Sequence, residues 1–175
     1  MHVKLKGSPA FYLVGFMGCG KTTVGRLLAD RLKWDFVDLD EAIEREAEAK
    51  IVDIFDKFGE ASFRALERKA LNKQIRHVRM GMARVVALGG GAFAQASNRE
   101  TIEAAGVSIW LKSPIDQLWG RVSNEDDRPL ARDRERFEAL YREREPSYAQ
   151  ADFTIERADA DPDKTVDDIQ GLSLL

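Results

Sequence analysis

The chain has 175 residues, 44% of them hydrophobic and a third charged, which suits one domain with a sizeable core and leaves little room for a second. A net charge of -3 argues against bulk attraction to nucleic acid, although positive charge can still gather at a local anion site. The sole cysteine, Cys19, excludes an intramolecular disulfide, and no apolar run approaches the roughly 20 residues that cross a bilayer. The start Met1-His2-Val3-Lys4-Leu5-Lys6 also lacks an apolar signal core, so cytoplasmic residence is the expectation, with no membrane partner.

In chain order, residues 11–14 read as a buried strand that runs into Gly15-Phe16-Met17-Gly18-Cys19-Gly20-Lys21-Thr22, followed by a helical pattern from Thr23. This stretch fits G-x-x-x-x-G-K-[ST], and strand before and helix after are the context the motif requires. Gly18 and Gly20 let backbone N–H groups turn toward phosphate oxygens, the helix beginning near Lys21 adds its positive end, and Lys21 adds a mobile charge. Thr22 offers a hydroxyl to Mg²⁺. A glycine-rich turn without a ligand is the ordinary alternative. Cys19 in this loop reads as a small-residue filler; redox control would need a resolving thiol.

Val24, Leu27, Leu28 and Leu32 recur at helical spacing, and residues 34–39 return as a second strand, completing a βαβ unit. Asp38 and Asp40 end that strand. A carboxylate there can hold a Mg²⁺-bound water and the next one can accept from a substrate hydroxyl, while a plain helix N-cap for Glu41-Ala42-Ile43 is an equally good local reading of Asp40. Ile51, Ile54, Phe55 and Phe58, then Phe63, Leu66, Ala70, Leu71 and Ile75 after Gly59, give two helices before the next strand. Arg64 and Glu67 lie one turn apart and can pair, as many surface residues do.

Residues 84–88 form the third strand, running into Gly89-Gly90-Gly91, where a ligand can approach the backbone closely unless the run is only a flexible turn. Ser97 to Glu100 reads as a capping box, residues 107–111 as a strand, and Ser113-Pro114 as a helix start. Segment 123–133 is dense in charge and turn residues, with Arg121 and Arg128 beside and within it, and has the composition of a lid or of a solvated charge run. Residues 134–148 are helical, and Phe137, Leu140, Tyr141 and Tyr148 place Arg144 on the apolar face. An inward guanidinium needs an anion, unless it snorkels to the helix C-terminal carbonyls. A last strand at 153–155 and a helix from Asp161 complete an α/β fold whose five parallel strands carry crossover helices on both faces. His2 and His77 show no metal-ligand spacing, and magnesium is the one metal the sequence invites.

Together these stretches resemble the shikimate kinase family from about Phe11 to Ile169. The carriers are residues 15–25, Asp38-Leu39-Asp40, Phe63-Arg64-x-x-Glu67, Gly89-Gly90-Gly91-Ala92, Arg128-Pro129-Leu130 and Arg144-Glu145-Pro146-Ser147-Tyr148. The resemblance implies a single P-loop NTPase-like kinase domain over 1–175, its core about 10–170, with a substrate-binding helical segment about 40–78 and a lid about 122–134. It implies transfer of the γ-phosphoryl group of ATP to the 3-hydroxyl of shikimate, in aromatic amino-acid biosynthesis, by a monomer. On the same ground Arg64 and Arg144 clamp the substrate carboxylate, Asp40 accepts its hydroxyls and acts as base, and Gly89, Gly90 and Gly91 form its floor. Gly18, Cys19, Gly20, Lys21, Thr22, Thr23, Arg121 and Arg128 hold the nucleotide. Lys21 and Arg128 stabilise the migrating phosphoryl group, and Thr22 and Asp38 bind Mg²⁺. Cys19 departs from the Ala or Ser common in the family, and the lid is more acidic than usual, with Ala131 where Leu is common.

Two rivals remain at this level. A gluconate kinase or nucleoside monophosphate kinase shares the loop and a lid, but Arg64, the glycine triplet and Arg144-x-Pro146 disfavour it. A GTPase-like switch predicts N-K-x-D, and Asn72-Lys73-Gln74-Ile75 lacks the Asp.

Overall fold

Five consecutive buried residues in β1 (Ala10–Val14) and five in β4 (Val107–Lys112) mean that neither strand has a solvent face. Strands of that kind occur in parallel sheets covered by helices on both sides. A computed structural model describes residues 10–123, 133–157 and 161–172 and shows this arrangement. The sheet runs β2-β3-β1-β4-β5, every pair parallel, with β2 at Asp35–Asp38, β3 at Arg84–Ala87 and β5 at Phe153–Glu156. The edge strands β2 and β5 are only partly buried and carry Asp35 and Glu156, charges that discourage pairing with another chain.

Seven helices are seen among the described residues: α1 (Lys21–Leu32), α2 (Leu39–Ala47), α3 (Ile51–Arg79), α4 (Ala96–Glu103), α5 (Ile115–Val122), α6 (Arg134–Tyr148) and α7 (Pro162–Gln170). Asp38, not Asp40, caps α2, its Oδ1 accepting from the N–H groups of Asp40 and Glu41 at 3.0 and 3.2 Å. Gly59 interrupts α3 at φ 78°, ψ 173°, so the two helices read from the sequence are real and meet at a kink only glycine adopts readily. The capping box at Ser97 does not form: α4 is capped at Gln95, two residues earlier, and the Ser97 hydroxyl instead accepts from Arg68 of α3 at 2.5 Å. Nor does Ser113 cap α5, whose N-cap is Pro114. Helix α6 runs through Pro146 to Tyr148, the bounds read from the sequence.

The chain order β1, β2, β3 fills one side of the sheet and β4, β5 the other, so direction reverses beside β1. At such a switch point the loops after the carboxyl ends of the strands part and leave a crevice. The phosphate loop follows β1, the glycine triplet follows β3, and Asp38 ends β2, three neighbours in the sheet.

Candidate active site

Phe16, in the middle of the phosphate loop, is buried and meets Phe137 and Tyr141 of α6 edge-on, at centroid distances of 5.0 and 5.4 Å. Further along α6 the Tyr148 hydroxyl donates to the Gly90 carbonyl at 2.5 Å. The helix is therefore pinned to the phosphate loop at one end and to the glycine triplet at the other. Arg144 lies between these pins, its guanidinium 5.9 Å from the Phe16 ring centre. Its guanidinium lies by Gly90, beside the Tyr148 hydroxyl, and it makes no ion pair with another described residue.

The triplet is a common floor for three charged side chains. A Cβ on Gly89 would sit 2.5 Å from Asp40 Oδ1, one on Gly90 3.2 Å from Arg144 Nη1, and one on Gly91 2.5 Å from Arg64 Nη2. A methyl group on Gly89 or Gly91 would displace the ends of Asp40 or Arg64, and one on Gly90 would crowd Arg144 only slightly. The turn that follows is held by α4, through Asn98 donating to the Ala92 carbonyl and Arg99 to those of Phe93 and Ala94.

Arg64 donates to Glu67 Oε1 at 2.8 Å, as the sequence spacing anticipates. Glu67 is not a surface residue but almost wholly buried, and burial raises its pKa while Arg64 works against that rise. Asp40 is raised chiefly by burial and next by the Asp38 charge, with Lys21 and Arg64 opposing. Among the described residues Asp40 Oδ1, Glu67 Oε2 and Arg64 Nε are buried without a hydrogen-bond partner. Three orphaned polar atoms in one cluster, each costing about 1–3 kcal/mol, are what a site built for a polar ligand leaves behind.

At the phosphate loop Lys21 Nζ donates to the carbonyls of Gly15 and Phe16 at 2.8 and 3.1 Å. The Thr22 hydroxyl donates to Asp38 Oδ2 at 2.6 Å, putting two hard oxygen donors side by side. Arg121 donates to the Gly18 carbonyl at 2.8 Å. A cavity of about 1090 Å³ joins these groups to the glycine triplet, running from Gly18, Thr23 and Arg121 past Lys21 and Thr22 to Asp40, Gly89, Gly90 and Arg144. Arg64 reaches the same floor from beyond Gly91 and borders a shallower depression along α3. Cys19 is buried behind the loop. Arg128 and most of the segment read as a lid lie outside the described residues.

The sequence did not single out Phe55 and Ile51, which form an apolar wall of the cavity, or Arg157 and Pro162 at its nucleotide-loop end. Ile51 and Phe55 were legible as one apolar helix face, without a hint that part of it faces a cavity. Arg157 follows the carboxyl end of β5, the position where a parallel sheet places its site residues, and that was the available signal.

A glycine-lined phosphate loop on the central strand, opening into one cavity with a buried carboxylate and an inward arginine, defines a P-loop phosphotransferase acting on a small acceptor. The sequence model described as "Shikimate kinase" matches residues 17–172, and the chain belongs to the shikimate kinase family. It is a phosphotransferase with an alcohol group as acceptor and ATP as co-substrate.

The chain is 40% identical over 166 residues to the shikimate kinase of Rhizobium leguminosarum bv. trifolii, covering 93% of this chain and 83% of that one. It is 46% identical over 147 residues to the enzyme of Cereibacter sphaeroides, covering 82% and 72%. Among solved structures, shikimate kinase from Acinetobacter baumannii in complex with shikimate superimposes with a TM-score of 0.85 at 37% identity, over 93% of this chain and 91% of that one. The APS kinase of Mycobacterium tuberculosis, at TM-score 0.62 and 14% identity, shares the fold alone.

Proposed function

We propose that the chain phosphorylates the 3-hydroxyl of shikimate, giving shikimate 3-phosphate and ADP, as a cytoplasmic monomer. The observation that carries this reading is the meeting of Asp40, Arg144 and Arg64 on the Gly89–Gly91 run beside the phosphate loop. A small acid with ring hydroxyls matches that constellation in charge: guanidinium groups for its carboxylate, a carboxylate for its hydroxyls.

In this reading Arg64 and Arg144 hold the acceptor carboxylate from two helices, with Glu67 fixing the Arg64 fork. Phe16 supports Arg144 from below. Asp40, with a raised pKa, orients the 3-hydroxyl and takes its proton as the phosphoryl group leaves ATP. Lys21 swings from its carbonyl partners to the β and γ phosphates, and N–H groups of the loop receive their oxygens. The adjacent Thr22 hydroxyl and Asp38 carboxylate have the oxygen chemistry that Mg²⁺ prefers and would hold it, Asp38 through a water; the ion would neutralise phosphate charge. Arg121 would lie near the adenine, Arg128 would offset charge on the migrating phosphoryl group, and 40–78 would supply the acceptor side. Holding the reactants in line and neutralising charge is most of what phosphoryl transfer asks of a protein.

A coupled ADP-release assay on shikimate, gluconate and nucleoside monophosphates tests this reading. Turnover with shikimate alone is expected. Turnover with gluconate or a nucleotide but not shikimate would overturn the acceptor assignment, and tight ATP binding with no turnover would point to a switch domain.

A further inference from the structure

Arg157 is a buried arginine that the reaction as described does not use. Its backbone is held in place because its N–H donates to the Lys112 carbonyl at 2.7 Å, prolonging the β4–β5 ladder. Its guanidinium bridges two elements. Nε donates to the Thr165 hydroxyl of α7 at 2.9 Å, and Nη1 donates to the carbonyl of Cys19 in the phosphate loop. Thr165 is buried too, and its hydroxyl donates onward to the Asp161 carbonyl at 2.9 Å, so its orientation is fixed. The helix supplying Thr165 is itself fastened to α1 by Arg31, paired with Asp163 and Asp167.

A trans peptide points its carbonyl and its N–H in opposite directions. Holding the Cys19 carbonyl on the α7 side therefore aims the Gly20 N–H the other way. Gly20 is the N-cap of α1 at φ 88°, and a Cβ there would lie 2.6 Å from Arg157 Nη1. The glycine thus serves the left-handed turn and the approach of the guanidinium at once. Arg157 also borders the cavity at the nucleotide loop, so its charge adds to the field there.

We propose that Arg157 is a positioning residue for the nucleotide: it locks the Cys19–Gly20 peptide so that the loop presents N–H, not carbonyl, to phosphate, and it backs the loop with a positive charge. This rests on the phosphate-loop reading of residues 15–22 and is independent of which acceptor is used.

The test is calorimetric binding of ATP, ADP and adenosine to the wild type, Arg157→Gln, Arg157→Lys and Thr165→Val, with KM for shikimate and the melting temperature measured alongside. Losing charge-assisted hydrogen bonds predicts ATP and ADP binding roughly 10- to 100-fold weaker in Arg157→Gln, partial recovery in Arg157→Lys, and a smaller loss in Thr165→Val. Adenosine binding and the KM for shikimate should stay within about three-fold, because neither involves the phosphate cradle. A lowered melting temperature with ATP binding unchanged would show a structural role only and overturn the proposal. Equal losses for adenosine and ATP would overturn it as well, since the whole site would then have collapsed. Should Arg157→Gln not fold, Thr165→Val decides, unchanged ATP affinity refuting the inference. Wild-type ATP binding without shikimate turnover would sink the acceptor assignment and leave this test standing.

Discussion

Asp38 and Asp40 are two residues apart and chemically alike, yet the fold gives them separate tasks. Asp38 spends both carboxylate oxygens on neighbours, one on the first N–H groups of α2 and one on the Thr22 hydroxyl. Asp40 is relieved of capping and turns its carboxylate to Gly89, where Oδ1 has no partner among the described residues. Burial first and the Asp38 charge next hold its pKa up against Lys21 and Arg64, which makes it a better proton acceptor than a solvated carboxylate. Asp40→Asn keeps the shape and removes the basicity. It should lower kcat by about 10²- to 10⁴-fold with ATP affinity unchanged, measured by steady-state kinetics and calorimetry. Turnover near that of the wild type would remove Asp40 as the base.

At the scale of elements, the proposed acceptor side is the glycine run after β3 and helix α6, which meet through Tyr148 and Gly90. Gly89, Gly90 and Gly91 do not need positive φ, so a methyl group there acts through space alone. Asp40 and Arg64 ends would have to withdraw from Gly89→Ala and Gly91→Ala, whereas Gly90→Ala requires Arg144 to give only slightly. Gly89→Ala should therefore depress kcat, Gly91→Ala should raise the KM for shikimate, and Gly90→Ala should be the mildest, all with melting temperatures close to wild type. Equal effects from the three would contradict the assignment of separate neighbours.

The phosphate loop was legible in the sequence because its geometry is written in eight contiguous residues between a strand and a helix. The inward Arg144 was legible because the apolar stripe of α6 fixes which way a residue at that spacing faces. Which of two acids caps α2 was not, since either spacing is allowed and the end of β2 decides. Ser97 mimicked a capping box because its real partner, Arg68, stands 29 residues away in sequence. For Arg157 the only signal was its place after β5; its partners come together only when β5, α7 and the phosphate loop meet.

Across the whole molecule, the two ends of the sheet differ in purpose. The carboxyl ends hold the cavity. At the amino ends Ala10, Arg84 and Asp35 stand in register, and buried Arg84 donates to Gln74 at 2.6 Å and approaches Asp35 at 3.4 Å. His77 Nδ1 lies 3.0 Å from Arg84 Nη1 and serves as its acceptor only when neutral. Burial first and then the charges of Arg84, Lys73 and Arg76 lower the His77 pKa, with Asp35 opposing. The fold thus favours the neutral ring, a contribution present above the ordinary histidine pKa of about 6.5 and lost as pH falls through the lowered value. The melting temperature should drop over that acidic range, and His77→Gln should flatten this part of the profile while sparing activity at neutral pH. An identical pH profile in the variant would exclude His77 as the cause.

Everything functional depends on Asp40, Arg64 and Arg144 serving one acceptor beside the phosphate loop. A crystal structure with ADP and shikimate tests this most directly. The shikimate carboxylate should lie between the Arg64 and Arg144 guanidinium groups, with a ring hydroxyl on Asp40 and the ring against Gly89–Gly91. Shikimate bound elsewhere, or bound with either guanidinium turned away from its carboxylate, would contradict it.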